Sequence, residues 1–135
     1  MEVEEVYAAI GEEGFERLVR AFYRQIPGDD ILGPMYRMSD VDPDGPETAR
    51  MAAAEARLRD FLIFRFGGPQ RYIERRGHPA LRMRHVKFVV DKAARDRWVQ
   101  LMDHALDETA LAPEATATLR QFLGDVATFL INKPG

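Results

Sequence analysis

The stretch "GGPQRYIERRGHPALRMRHVKFVV", Gly67–Val90, breaks a chain that is otherwise patterned for helices. Its periodicity is weak, so loops are predicted from Gln70 to Val90, with one short helix around Pro79–His85. A compact domain rarely keeps so long a stretch of irregular chain unless it serves a function. The stretch holds two of the chain's three histidines, His78 and His85. It is also basic, with Arg71, Arg75, Arg76, Arg82, Arg84 and Lys87. Three readings compete: a metal or haem site, a nucleic-acid patch, and plain loop packing.

On either side the pattern is helical. Phe15, Leu18, Val19, Phe22 and Ile26 form one apolar stripe, which Pro27-Gly28 ends. "DDILGPMY" is a short segment, and the acidic "RMSDVDPDGPE" after it reads as an exposed loop. Pro46 and Glu47 suit a helix start. That helix runs to Phe66, with Met51, Leu58, Phe61 and Leu62 on its inner face. Asp91 is placed as the N-cap of the next helix, whose stripe is Ala94, Trp98, Leu101, Met102, Ala105 and Leu106. Pro113 and Glu114 open the last helix, with Leu119, Phe122, Leu123, Val126, Phe129 and Leu130 inside. No stretch alternates as a strand does, so the class is all-α, and residues 1–135 are expected to form a single domain.

Composition narrows the function. The formal net charge of -3 opposes a nucleic-acid binder. Absence of cysteine removes disulfides, thiolate metal sites and thiol nucleophiles, and suits a cytoplasmic setting. No apolar run is long enough to span a membrane. The histidines differ in setting. His78, before Pro79, is suited to a turn or cap. His104 falls off the Trp98 stripe, with Asp107 and Glu108 one turn away, and reads as an exposed, salt-bridged residue. A three-histidine zinc site is not supported. Taken alone, His85 reads as a structural residue more readily than as a ligand. Tyr23, Tyr36 and Trp98 each carry a polar atom that needs a partner if buried, whether a backbone carbonyl or a bound ligand.

Four motifs occur in order: "FY" at 22–23, "FLIFRFGGPQRY" at 61–72, "GHPALRMRH" at 77–85 and "RDRWVQLM" at 95–102. Together they resemble the truncated haemoglobins of the second group, over nearly the whole chain. The resemblance implies a shortened globin fold, a two-over-two helical sandwich around haem b. It implies His85 as the proximal ligand to iron, and a proximal stretch that is largely loop and ordered by haem. Leu58, Phe61 and Leu62 would line the cofactor, and Arg84, Arg57 and Tyr72 would meet its propionates. Tyr23, Tyr36 and Trp98, with Phe22, Leu58 and Ala54, would face the ligand. Ala54 stands where many globins carry a histidine, so polar contacts must come from the tyrosines and the indole. One departure is the loop "RMSDVDPDGPETAR", longer than the group's usual connection, which bears directly on the placement of Tyr36. The implied function is reversible binding of dioxygen and other diatomic gases. The alternative is an enzyme using the same haem, a nitric oxide dioxygenase or peroxidase-like protein served by a separate electron donor. A homodimer is left open.

Overall fold

The computed structural model describes residues 1–37, 47–81 and 89–133. Among these, the regular elements are all helical, as the patterning predicts. A 3-10 turn at Val3–Glu5 leads into α1 (Val6–Tyr23), followed by α2 (Leu32–Arg37), α3 (Glu47–Arg65), α4 (Arg71–Arg76), α5 (Lys92–Thr109) and α6 (Pro113–Phe129). No helix among the described residues is long and apolar enough to cross a membrane.

The apolar stripes explain the packing. Phe15, Leu18, Val19 and Phe22 of α1 are fully buried and serve two neighbours, α3 and α5. Leu62 and Ile63 of α3, and Met102, Ala105 and Leu106 of α5, complete this centre. Leu119 and Leu123 bring α6 against α5. The result is two helix pairs, α1 with α3 and α5 with α6, joined mainly through α1. Burying one such aliphatic side chain contributes roughly 2 kcal/mol.

Local signals hold where their physics is local. Asp91 accepts from the Ala94 N–H at 2.9 Å and caps α5. Pro113 opens α6. Within α1, Gly11 has φ +67°, so two helical segments meet at an angle there. At the end of α3, Gly67 has φ +98°, and a Cβ on it would lie 2.1 Å from the Glu4 carbonyl oxygen. Only glycine fits there.

Two expectations need correction, and one helix was not anticipated. A short helix that the sequence did not announce lies at Arg71–Arg76. It is six residues long, less than two turns, so no periodic stripe could reveal it. Of the short helix expected around Pro79–His85, Leu81 is helical and residues 82–85 lie outside the described residues. Phe129, expected inside, is 55% exposed at the last turn of α6. His104 is exposed as expected, but its acidic neighbours pair elsewhere: Asp107 with Arg120 at 3.1 Å and Glu108 with Arg24 at 3.1 Å.

Candidate functional site

The end of α1, the short α2 and the first half of α5 bring together the three polar-tipped aromatics. Tyr23 is the last residue of α1 and is buried. Tyr36 sits near the end of α2, and Trp98 two turns into α5. The Trp98 indole Nε1–H donates to the Tyr36 hydroxyl oxygen at 3.2 Å. The Tyr23 and Tyr36 rings meet edge to face, with centroids 5.5 Å apart. Phe22 packs on both Tyr23 (5.3 Å) and Trp98 (5.2 Å) and closes the cluster with an apolar ring. The long loop that follows Tyr36 therefore does not pull it out of the cluster.

Burial dominates the electrostatics of the pair. It pushes the Tyr36 hydroxyl up to about 12, with hydrogen bonds from Trp98 and Tyr23 and the Arg57 charge offsetting part of the rise. Tyr23 is held well above its ordinary value, first by burial and then by Tyr36, with Arg57 again opposing. Both phenols are therefore neutral across the physiological range and keep their protons for hydrogen bonding. The indole occupies one lone pair of the Tyr36 oxygen, which leaves the Tyr36 proton for a further acceptor.

Helix α3 supplies a wall of a different kind. Ala54, Leu58 and Phe61 recur at i, i+4 and i+7, hence on one helical face. Ala54 and Phe61 are buried; Leu58 and Met51 are only partly covered, as are Tyr36 and Trp98 across from this helix. Large apolar side chains that pack on the core yet keep bare surface suit a flat, mostly apolar group with polar edges. Haem fits that description, and a methyl at Ala54 leaves it room without offering a polar contact. Leu62 lies fully buried one position further round, in the core itself. Arg57 is half-buried on α3, and its charge reaches both tyrosines. Tyr72 on α4 is buried with its ring edge to face on Phe61 at 5.5 Å.

His85 and Arg84 lie outside the described residues. The flanks of that stretch are described. On one side, His78 Nδ1 accepts from the Ala80 N–H at 3.0 Å, the turn role its sequence setting suggests. On the other, the Asn132 side chain accepts from the Val90 N–H at 2.8 Å, and the Val90 carbonyl accepts from the Asn132 N–H at 2.8 Å. Near the start, Arg75 Nη1 donates to Asp60 Oδ2 at 2.9 Å, tying α4 to α3. Sequence reasoning missed Asp60, Asn132 and the pair Asp29–Arg97, since a charge or amide on a helix surface carries no mark of its partner.

The chain has clear relatives. Residues 5–132 match the family described as bacterial-like globin. Over 117 residues the chain is 36% identical to the group 2 truncated hemoglobin YjbI of Bacillus subtilis (strain 168), covering 87% of this chain and 77% of that one. Among solved structures, a thermostable hemoglobin from the actinobacterium Thermobifida fusca superposes with a TM-score of 0.82 at 41% identity, covering 96% of this chain and 98% of that one. A truncated oxygen-avid haemoglobin from Bacillus subtilis does so with a TM-score of 0.81 at 31% identity, covering 94% and 98%.

Proposed function

Since the chain belongs to the bacterial-like globins, and among them to the group II truncated haemoglobins, we propose that it reversibly binds dioxygen and other diatomic ligands at a haem b held through His85. The family is one of haem proteins that bind diatomic gases. When bound, haem would supply an iron able to bind a diatomic ligand. Everything else is the work of this chain's side chains.

The hydrogen bond from Trp98 to Tyr36 carries the reading. It holds the Tyr36 ring in place and leaves the Tyr36 proton free to meet a polarised ligand. Tyr23 is a second phenol in the same cluster, also neutral. Phe22 and the aromatic faces keep water from competing for these donors. Ala54 offers none, so selectivity rests on the aromatic trio. Dioxygen in such a site accepts hydrogen bonds well, and carbon monoxide poorly. Leu58 and Phe61 form the apolar wall, while Arg57, Arg84 and Tyr72 are assigned to the cofactor's polar edge. His85 would hold the iron through one ring nitrogen, and an acceptor for its other N–H would fix the tautomer.

The test is spectroscopic. The purified chain is expected to be red, with a Soret band. His85→Gly should lose most of its haem or regain it with added imidazole, while His78→Ala and His104→Ala keep the parent spectrum. A normal spectrum in His85→Gly without imidazole overturns the assignment. The clustering of donors on one ligand favours slow release, which suits redox turnover as a second reading. Nitrate formed from the oxygenated protein and nitric oxide, with an external electron donor sustaining turnover, separates that reading from simple carriage.

A further inference from the structure

Helix α2, which carries Tyr36, is six residues long and cannot hold itself in place. Its start is fixed by Asp29. One carboxylate oxygen, Oδ2, accepts from the N–H groups of Ile31 (3.0 Å) and Leu32 (2.7 Å), and the Gly33 N–H donates to the Asp29 carbonyl at 3.0 Å. The other oxygen, Oδ1, accepts from Arg97 Nη1 at 2.6 Å, and the Asp29 side chain is only 7% exposed. The same Nη1 also reaches Asp30 at 3.0 Å, but that side chain is largely in solvent. Arg97 and Trp98 are consecutive on α5. Arg97 grips the beginning of α2 and Trp98 bonds to the residue near its end, Tyr36. Helix α5 is itself fastened to α1, since Gln25 Nε2 donates to the Leu101 carbonyl at 2.8 Å and to that of Ala21 at 3.2 Å.

We propose that the Asp29–Arg97 pair is a positioning device for ligand discrimination: it sets the register of α2 on α5 and thereby the aim of the Tyr36 hydroxyl. Neither residue meets the ligand. A helix attached at two points cannot rotate about either one, and without Arg97 the Tyr36–Trp98 bond alone must hold it. The proposal rests on the reading that Tyr36 faces the ligand.

Trp98 is the chain's only tryptophan, so isotope labelling yields a single indole N–H resonance. That resonance reports the Tyr36 bond directly, in the full-length haem-loaded protein with carbon monoxide bound. Arg97→Ala keeps the Asp29 cap and is expected to move the indole resonance, split or shift the C–O stretching band and speed dioxygen release by about threefold, part of one hydrogen bond's worth. Arg97→Lys should restore all three, because one cationic nitrogen makes both contacts. Arg120→Ala serves as the control: it removes another ion pair of α5, to Asp103, away from Trp98. An indole resonance unmoved in Arg97→Ala, or moved equally in Arg120→Ala, overturns the proposal. Tyr36→Phe separates this from failure of the ligand reading. It must move the indole resonance in any case; if it leaves the C–O band and dioxygen release unchanged, Tyr36 does not face the ligand and the discrimination role falls with it.

Discussion

The aromatic cluster and the α3–α4 corner solve the same problem with opposite chemistry. Both bury polar atoms and both fix a short helix on a long one. At the cluster, Tyr36, Tyr23 and Trp98 are neutral groups that bond to one another within a ring of apolar faces. At the corner, Asp60 is a buried carboxylate with its side chain 7% exposed, held by the mostly exposed Arg75. Its Oδ1 is buried and accepts no hydrogen bond, with the Arg59 Nε at 3.9 Å as a second cation. Nearby, Arg71 pairs with Glu12 and joins α4 to α1. Neutral donors keep their protons and ignore salt; charges give strength that depends on both salt and partner. A binding site needs the first kind and a joint can use the second.

Removing one charge from the corner should have the largest effect. Arg75→Ala leaves Asp60 buried without its main cation, and about 2 kcal/mol of stability should be lost, less than for a fully buried pair because the arginine is exposed. Adding Asp60→Asn to Arg75→Ala should recover part of that loss in thermal or urea unfolding. A double variant no better than the single one would mean that the carboxylate is already well solvated.

At the cluster, Tyr23→Phe and Trp98→Phe should each speed dioxygen release by about tenfold, the equivalent of roughly 1.4 kcal/mol. Their effects should not multiply, because both act through one network. Carbon monoxide release should change less. Release rates within about twofold of the parent for both variants would make these aromatics core residues only.

The pH response sharpens the contrast. The Tyr36 hydroxyl is raised to about 12 from an ordinary 10.0. In the unfolded chain the phenol ionises first, so this contribution to stability is complete below pH 10 and is lost as pH rises toward 12. The alkaline loss should be shallower in Tyr36→Phe. The acid limb belongs to the charged groups. Burial raises the Asp29 carboxyl, but the Leu32 N–H, Arg97 and the Ile31 N–H outweigh it and leave it below the ordinary 3.8. Its contribution is present above that value and fades as pH falls through the folded value, so the deficit of Asp29→Asn should shrink in acid. A deficit unchanged between neutral pH and strong acid would show that the Asp29 charge contributes nothing, since asparagine keeps an oxygen for the cap. Smallest of all, Phe129→Ser should change stability by less than about 0.5 kcal/mol, since the ring is already exposed.

The sequence made some of this visible and hid the rest for physical reasons. Long stripes such as Phe15 to Ile26 predicted α1 because burial repeats with the helix. Asp91 was readable because a cap acts three residues away. Tyr23, Tyr36 and Trp98 were picked out by chemistry and by resemblance, and the fold does gather them. Helix α4 was too short to show a period. The partners Asp29–Arg97 and Asp60–Arg75 lie 68 and 15 residues apart, and surface-like charges give no hint of which opposite charge they will meet.

The opening residues carry one more consequence. The Met1 carbonyl accepts from the Thr118 hydroxyl at 2.9 Å, and the Tyr7 N–H donates to the Phe66 carbonyl at 3.0 Å, where Glu4 crosses Gly67. Their docking platform exists only once α3 has formed and α6 has closed against the rest. Contacts that span 117 residues are slow to close, because chain entropy must be surrendered before they are made. In folding order, then, the earliest part of the chain is fixed among the last, and unfolding should begin by its release.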